Sequence, residues 1–175
     1  YADSKALTSD RRGELFEGLR SCGKVGWVIH SISAEEISGS MLLTEPTSLN
    51  TLSHLSAESL VRSVEESGVV VKHVYVDTVG DPGAYQAKLT RAFGSRLTFT
   101  VAKKADATYP VVGAASIVAK VTRDRAMEDM KFREPGFTST LPLGSGYPGD
   151  EITKAWLQAH CDPVFGWPSV TRFSW

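Results

Sequence analysis

Cysteine is almost missing from this chain: Cys22 and Cys161 are the only two in 175 residues. Two such distant cysteines form no metal-ligand pattern, and free thiols are expected rather than a disulfide. No apolar run approaches the ~18 residues of a membrane span, so no membrane contact is expected. The start carries no secretory pattern. The four histidines, His30, His54, His73 and His160, are scattered without an i, i+4 pair, which removes the helical zinc motif. There is no Gly-x-x-x-x-Gly-Lys loop, no Gly-x-Gly-x-x-Gly fingerprint and no Gly-x-Ser-x-Gly elbow. Nucleotide-hydrolysing, dinucleotide and acyl-transfer chemistries therefore lack their signatures. A dominant charge is missing too: the formal net charge is −1, which argues against a protein that coats polyanions by charge alone.

Residues of 42% hydrophobic and 22% charged character describe an ordinary globular chain, of a length that predicts one domain over residues 1–175. Helical and strand patterns alternate, which predicts an α/β layered fold. Thr8 is placed to cap a helix over 9–20, and Ser33 with Glu36 forms a capping-box pattern. Residues 25–32 read as a strand. A helix over 49–67 would bury Leu52, Leu55, Leu60, Val61 and Val64 and stop at Gly68. The apolar run over 69–76 reads as a central strand covered on both faces. Pro82 opens a helix that ends at Gly94, and 96–102 alternates as the next strand. A helix follows over 110–131, then a Gly/Pro/Ser-rich loop over 133–149. Asp150 begins the last helix, which runs to about residue 160.

The segment Lys103-Lys-Ala-Asp106 to Arg125 carries the strongest functional signal. Asp106 precedes a helix of small and apolar residues that emerges into Lys120, Arg123 and Arg125. Residues 101–133 hold seven Lys/Arg against four Asp/Glu. A carboxylate at a helix entrance with cations further along suits metal-assisted chemistry on a phosphate backbone. The plainer alternative is that Asp106, with Thr108, only caps the helix begun by Pro110. Asp77 ends a buried strand pattern, where α/β sheets place their ligands; the alternative is a turn carboxylate. Following successive strands, Asp77 and Asp106 could share one metal site. Two carboxylates are few for a pair of cations ~3.5–4 Å apart. Tyr147, in Gly144-Ser-Gly-Tyr-Pro-Gly149, is either a ring presented for stacking on a sugar or base, or one packed under its own loop. Ser4 and Lys5 lie before a helix, where a phosphate is favoured, or else in an exposed terminus.

Several segments together resemble the type 2 ribonucleases H, in particular the catalytic subunit of the eukaryotic enzymes. They are Asp3-Ser-Lys-Ala-Leu-Thr8, Val74-Tyr-Val-Asp-Thr-Val-Gly80, Lys104-Ala-Asp106, Ala114-Ala-Ser-Ile-Val-Ala-Lys-Val-Thr-Arg-Asp124, Gly144-Ser-Gly-Tyr-Pro148 and Phe165-Gly-Trp-Pro168 with Arg172-Phe-Ser-Trp175. They occur in the family's order along nearly the whole chain. The resemblance implies an RNase H-like fold, with a central mixed sheet flanked by helices and a C-terminal helical extension. Residues 133–175 would form a substrate-contacting loop and a packed helical and aromatic cover. It implies a metal-dependent endoribonuclease that cleaves the RNA strand of RNA–DNA hybrids and incises 5′ of single ribonucleotides in duplex DNA.

On that resemblance Asp77 and Asp106 are catalytic metal ligands for two Mg²⁺ or Mn²⁺ ions. Tyr147 recognises the RNA–DNA junction, Ser4 and Lys5 lie near the substrate backbone, and Lys120 and Arg123 order the acids or bind phosphate. Two accessory subunits and a nuclear role in ribonucleotide removal are implied as well. The family's Asp-Glu-Ala-Gly-Arg-Gly segment, which supplies two further acids on the first strand, has no match here. The expectation is a chain that lacks its first strands and is inactive as it stands. Two readings from other classes stay open: a non-catalytic subunit that grips duplexes, and a metal enzyme for a small phosphorylated metabolite.

Overall fold

A computed structural model describes residues 7–78, 80–139 and 141–172. The described chain forms two compact units. One is drawn from residues up to His30 and from Ser56–Asp129; the other is drawn from Ser31–Leu55 and from Met130 onward.

The first unit is built on two parallel strands, β1 (His73–Asp77) and β2 (Thr98–Ala102). The register sets His73 opposite Thr98 and Asp77 opposite Ala102. The expected mixed sheet is thus, among the described residues, a two-stranded parallel one. The connection between the strands is helix α4 (Pro82–Phe93), whose ends are written in local chemistry. Asp81 accepts from the amides of Gly83 and Ala84, Pro82 sits in the first turn, and Gly94 closes the helix at φ 70°. Tyr85, Leu89 and Phe93 recur at helical spacing and pack with Leu97, Phe99 and Val101, which recur at strand spacing. Two periodicities therefore meet in one apolar layer, with the Phe93 and Phe99 ring centroids 5.5 Å apart. The outer edge of β2 is met by α4 as well: the Val101 amide donates to Gln86 Oε1 at 3.2 Å.

A second apolar cluster joins α1 (Ser9–Ser21) to α6 (Pro110–Glu128) through Phe16, Leu19, Ile117, Val118 and Val121. Thr8 caps α1 as its sequence position predicts, accepting from the Arg11 amide. Arg12 and Arg125 reinforce the pair, reaching Asp124 at 3.3 Å and Glu17 at 3.2 Å, and the Arg125 guanidinium also lies over the Phe16 ring.

The second unit contains α2 (Ala34–Met41), capped by Ser33, and α7 (Glu151–Ala159), capped by Asp150. Its centre is aromatic. Trp156 is buried, lies within stacking or edge distance of Phe132, Phe137 and His160, and donates to Ser139 Oγ at 2.7 Å.

Four sequence expectations are corrected. Residues 25–32 form no strand: Val25, Val28 and Ile29 are exposed, and an extended segment becomes a strand only against a partner. The strand expected over 69–76 starts at His73, and Val69 and Val70 are exposed instead of covered on both faces. On α3 (Leu49–Glu66) no residue is fully buried and Leu55 is exposed. The C-terminal aromatic segment is not a packed cover at Phe165, which is 88% exposed. Asp162 Oδ1 there accepts the amides of Val164 and Phe165, so the turn is held by its backbone while the side chains project. Residues 173–175 lie outside the described residues. Cys22 and Cys161 are exposed free thiols, and among the described residues no helix is long and apolar enough to cross a membrane.

Candidate metal and nucleic-acid site

Asp77 is the last residue of β1 and is exposed. The ladder continues one step beyond it, through the Thr78 amide to the Ala102 carbonyl at 3.1 Å. After β2 the chain reverses at Lys104, which adopts a left-handed conformation at φ 54°. Among the described residues it is the only non-glycine there, a backbone cost of about 1–3 kcal/mol that surrounding contacts must offset. The reversal aims the Ala105 amide back at the sheet, where it donates to Asp77 Oδ1 at 2.9 Å. The residue after Ala105 is Asp106, so this hydrogen bond ties the Asp106 segment to the end of β1 that carries Asp77.

Asp106 does not cap the long helix. It lies in a separate four-residue helix, α5 (Ala105–Thr108), and α6 begins from Tyr109 with no side-chain cap. Only 9% of Asp106 is exposed, and its Oδ1 accepts from the Ala107 amide. Among the described residues neither Asp77 nor Asp106 has an ion-pair partner, and no third His, Cys, Asp or Glu gathers with them into a metal-binding group. A nearly buried carboxylate without an ion-pair partner is a donor that fits a divalent ion: hard oxygen donors suit Mg²⁺ and Mn²⁺, and burial of unbalanced charge is otherwise unfavourable.

The sequence reading overlooked the row leading to Asp77. Alternation along β1 puts His73, Tyr75 and Asp77 on one face. The His73 ring stacks on Tyr75 at 4.3 Å and bonds Thr100 Oγ1, and Tyr75 meets Tyr109 at 4.7 Å. Strand periodicity could have found it.

The basic residues are partly engaged. Arg123 is exposed and reaches Asp124 at 3.2 Å, Arg125 is turned to Glu17 and Phe16, and Lys120 is half-buried. Ser4 and Lys5 lie outside the described residues.

In the second unit Tyr147 is 66% exposed, which disposes of a ring packed under its own loop. Gly144 and Gly146 take φ 71° and 79°, as the turns on either side of Ser145 require. Asp150 holds the loop: its Oδ2 accepts from the Ser145 amide at 2.6 Å, Ser145 Oγ at 2.8 Å and Thr153 Oγ1 at 2.9 Å. These bonds, the Ser145 amide foremost, pull the Asp150 carboxyl down to about 2. From the sequence Asp150 was legible only as a helix cap.

A family model described as Ribonuclease HII matches residues 1–175. The chain belongs to the ribonuclease HII family. Among curated proteins, this ribonuclease HII chain is 48% identical over 175 residues to a ribonuclease H2 subunit of Arabidopsis thaliana, with all of the chain and 59% of that protein covered. It is 47% identical over 174 residues to the corresponding ribonuclease H2 subunit of Homo sapiens, with 99% of the chain and 58% of that protein covered. The chain thus spans about three-fifths of the length of these relatives. Among solved structures, ribonuclease H2 of Pyrococcus horikoshii superposes with a TM-score of 0.76 at 31% identity, covering 99% of this chain and 75% of the other. The Archaeoglobus fulgidus ribonuclease HII, solved in complex with PCNA, superposes with a TM-score of 0.70 at 30% identity, over 90% and 68%. The fold is accordingly RNase H-like, and the family is one of divalent-metal-dependent nucleases.

Proposed function

We propose that this chain is the catalytic portion of a eukaryotic-type ribonuclease H2. Its substrates would be RNA–DNA hybrids, cut in the RNA strand, and duplex DNA with single embedded ribonucleotides, incised on the 5′ side. One observation carries the reading: the Ala105 amide on Asp77 Oδ1, which ties the exposed Asp77 to the segment that holds the nearly buried Asp106. The identity to the plant and human ribonuclease H2 relatives supports it.

In this reading Asp77 and Asp106 hold divalent cations, Mg²⁺ or Mn²⁺. When bound, such ions activate water and stabilise the leaving 3′ oxygen of an in-line displacement. The chain's own contribution is placement. Ala105 holds Asp77 through Oδ1, and the reversal at Lys104 would bring Asp106 toward the same edge. Lys120 and Arg123 lie three residues apart on α6 and contact backbone phosphate; Ser4 and Lys5 are assigned the same role on family resemblance alone. Tyr147 contacts the ribose, whose 2′-hydroxyl is the group that separates the two sugars. Products would carry 3′-hydroxyl and 5′-phosphate ends. Two accessory subunits and a nuclear role in ribonucleotide removal belong to the same proposal.

The test is cleavage by the protein at its natural length, with Mg²⁺, of a DNA duplex holding one ribonucleotide. A single cut 5′ of that ribonucleotide is expected. Asp77→Asn and Asp106→Asn should each lower cleavage by at least on the order of 10²-fold while hybrid binding persists. Full activity in either variant removes that residue from the site; no cutting by the unaltered protein with its accessory subunits overturns the function.

A further inference from the structure

Asp150 divides its two oxygens between two tasks. Oδ1 accepts from the Ile152 amide at 3.2 Å, the ordinary cap of α7. Oδ2 is not needed for that cap, yet the backbone and hydroxyl of Ser145 and the hydroxyl of Thr153 all converge on it. Thr153 repeats the pattern. Its side chain is buried on a nine-residue helix, and its Oγ1 accepts from the Gly146 amide at 3.0 Å. The hydroxyl proton is shared between Asp150 Oδ2 and the Leu143 carbonyl at 3.1 Å, since a single hydroxyl has one proton to give. The loop backbone rests directly on the pair: a Cβ at Gly144 would stand 2.4 Å from Asp150 Oδ2 and 2.6 Å from Thr153 Oγ1. The loop's far end is tied to the same residue, the Asp150 amide donating to the Tyr147 carbonyl at 3.0 Å. Residues 143–147 are thus fixed at four backbone groups, while the Tyr147 ring remains exposed.

We infer that Asp150 and Thr153 are positioning residues for ribose recognition, holding the Gly144–Tyr147 backbone so that the Tyr147 ring is presented in one orientation. This rests on the reading of Tyr147 given above. A ring on a loop with two left-handed glycines would otherwise sample many directions, and telling one hydroxyl from its absence demands a fixed approach. The low acidity range of Asp150 agrees: a carboxyl held near 2 stays ionised, and its contribution is lost only as pH falls below the ordinary aspartate range toward that value.

The test compares incision at a single ribonucleotide with cleavage of a uniform RNA–DNA hybrid, using the full-length protein with its accessory subunits. Asp150→Asn keeps Oδ1 for the helix cap but puts an amide donor where three donors converge. Thr153→Val removes the hydroxyl at nearly constant shape. Each should lower the ratio of single-ribonucleotide to hybrid cleavage by about tenfold, the size expected for one lost charge-assisted hydrogen bond. Thr153→Ser should restore the ratio. A merely structural role would depress both reactions alike, and equal losses overturn the inference. An altered ratio in Tyr147→Ala but not in Asp150→Asn or Thr153→Val overturns it while leaving the Tyr147 reading intact. An unchanged ratio in Tyr147→Ala overturns both. If Asp150→Asn does not fold, the Thr153→Val and Thr153→Ser pair decides.

Discussion

Asp106 is the one buried charged side chain among the described residues. It is nearly buried, accepts a single local amide, and has no ion-pair partner among the described residues. On the proposed reading a bound cation would balance its charge. Asp106→Asn retains Oδ1 as an acceptor and removes the charge, so the metal-free protein should melt about 2–4 °C higher, the shift expected for about 1 kcal/mol in a chain of this size. Mg²⁺ or Mn²⁺ should raise the melting temperature of the unaltered protein and have a smaller effect on the variant. An unaltered protein that is indifferent to both ions argues against metal binding at Asp106. At this scale the sequence was partly legible. Asp77 and Asp106 stand out because each follows a strand pattern, and the Ala105 amide on Asp77 Oδ1 ties the two segments at one strand end. Lys104 carried no signal, since a left-handed turn advertises itself through Gly or Asn and here it falls on lysine.

Elements bounded by local chemistry were readable, and those bounded by partners were not. Thr8, Ser33, Pro82, Gly94 and Asp150 fix helix ends through hydrogen bonds and backbone angles within a few residues, and α1, α2, α4 and α7 lie where those residues place them. Strand bounds depend on a neighbour: Val69 and Val70 have strand character but no pairing, whereas His73 starts a ladder because Thr98 lies opposite. The cap alternative for Asp106 fails for a related reason, since a separate short helix, α5, holds Asp106, and α6 starts anew from Tyr109. Asp81→Ala should cost about 1 kcal/mol, leaving the Gly83 and Ala84 amides without their acceptor at the start of α4. Urea unfolding should show a lower midpoint with unchanged slope, and an unmoved midpoint would mean that Pro82 alone sets the helix start.

For the molecule as a whole, a net charge of −1 gives no general attraction to nucleic acid. Salt dependence must then come from a few local contacts. Lys120→Gln with Arg123→Gln should lower the slope of log binding constant against log salt by about two units and weaken all duplex sequences equally. A slope left as it was removes both side chains from phosphate contact. The RNase H-like fold was recognisable because motifs recur in order along the chain, while the narrow parallel sheet was hidden, since strand counting from apolar runs overestimates pairing. One small feature of that sheet reaches beyond the catalytic reading. The Val101 amide faces away from β1 and is taken by Gln86 Oε1. An extended segment from another molecule, seeking to add itself along β2, would find that position occupied by a side chain anchored on α4. At that one position the β2 edge is closed to an added strand.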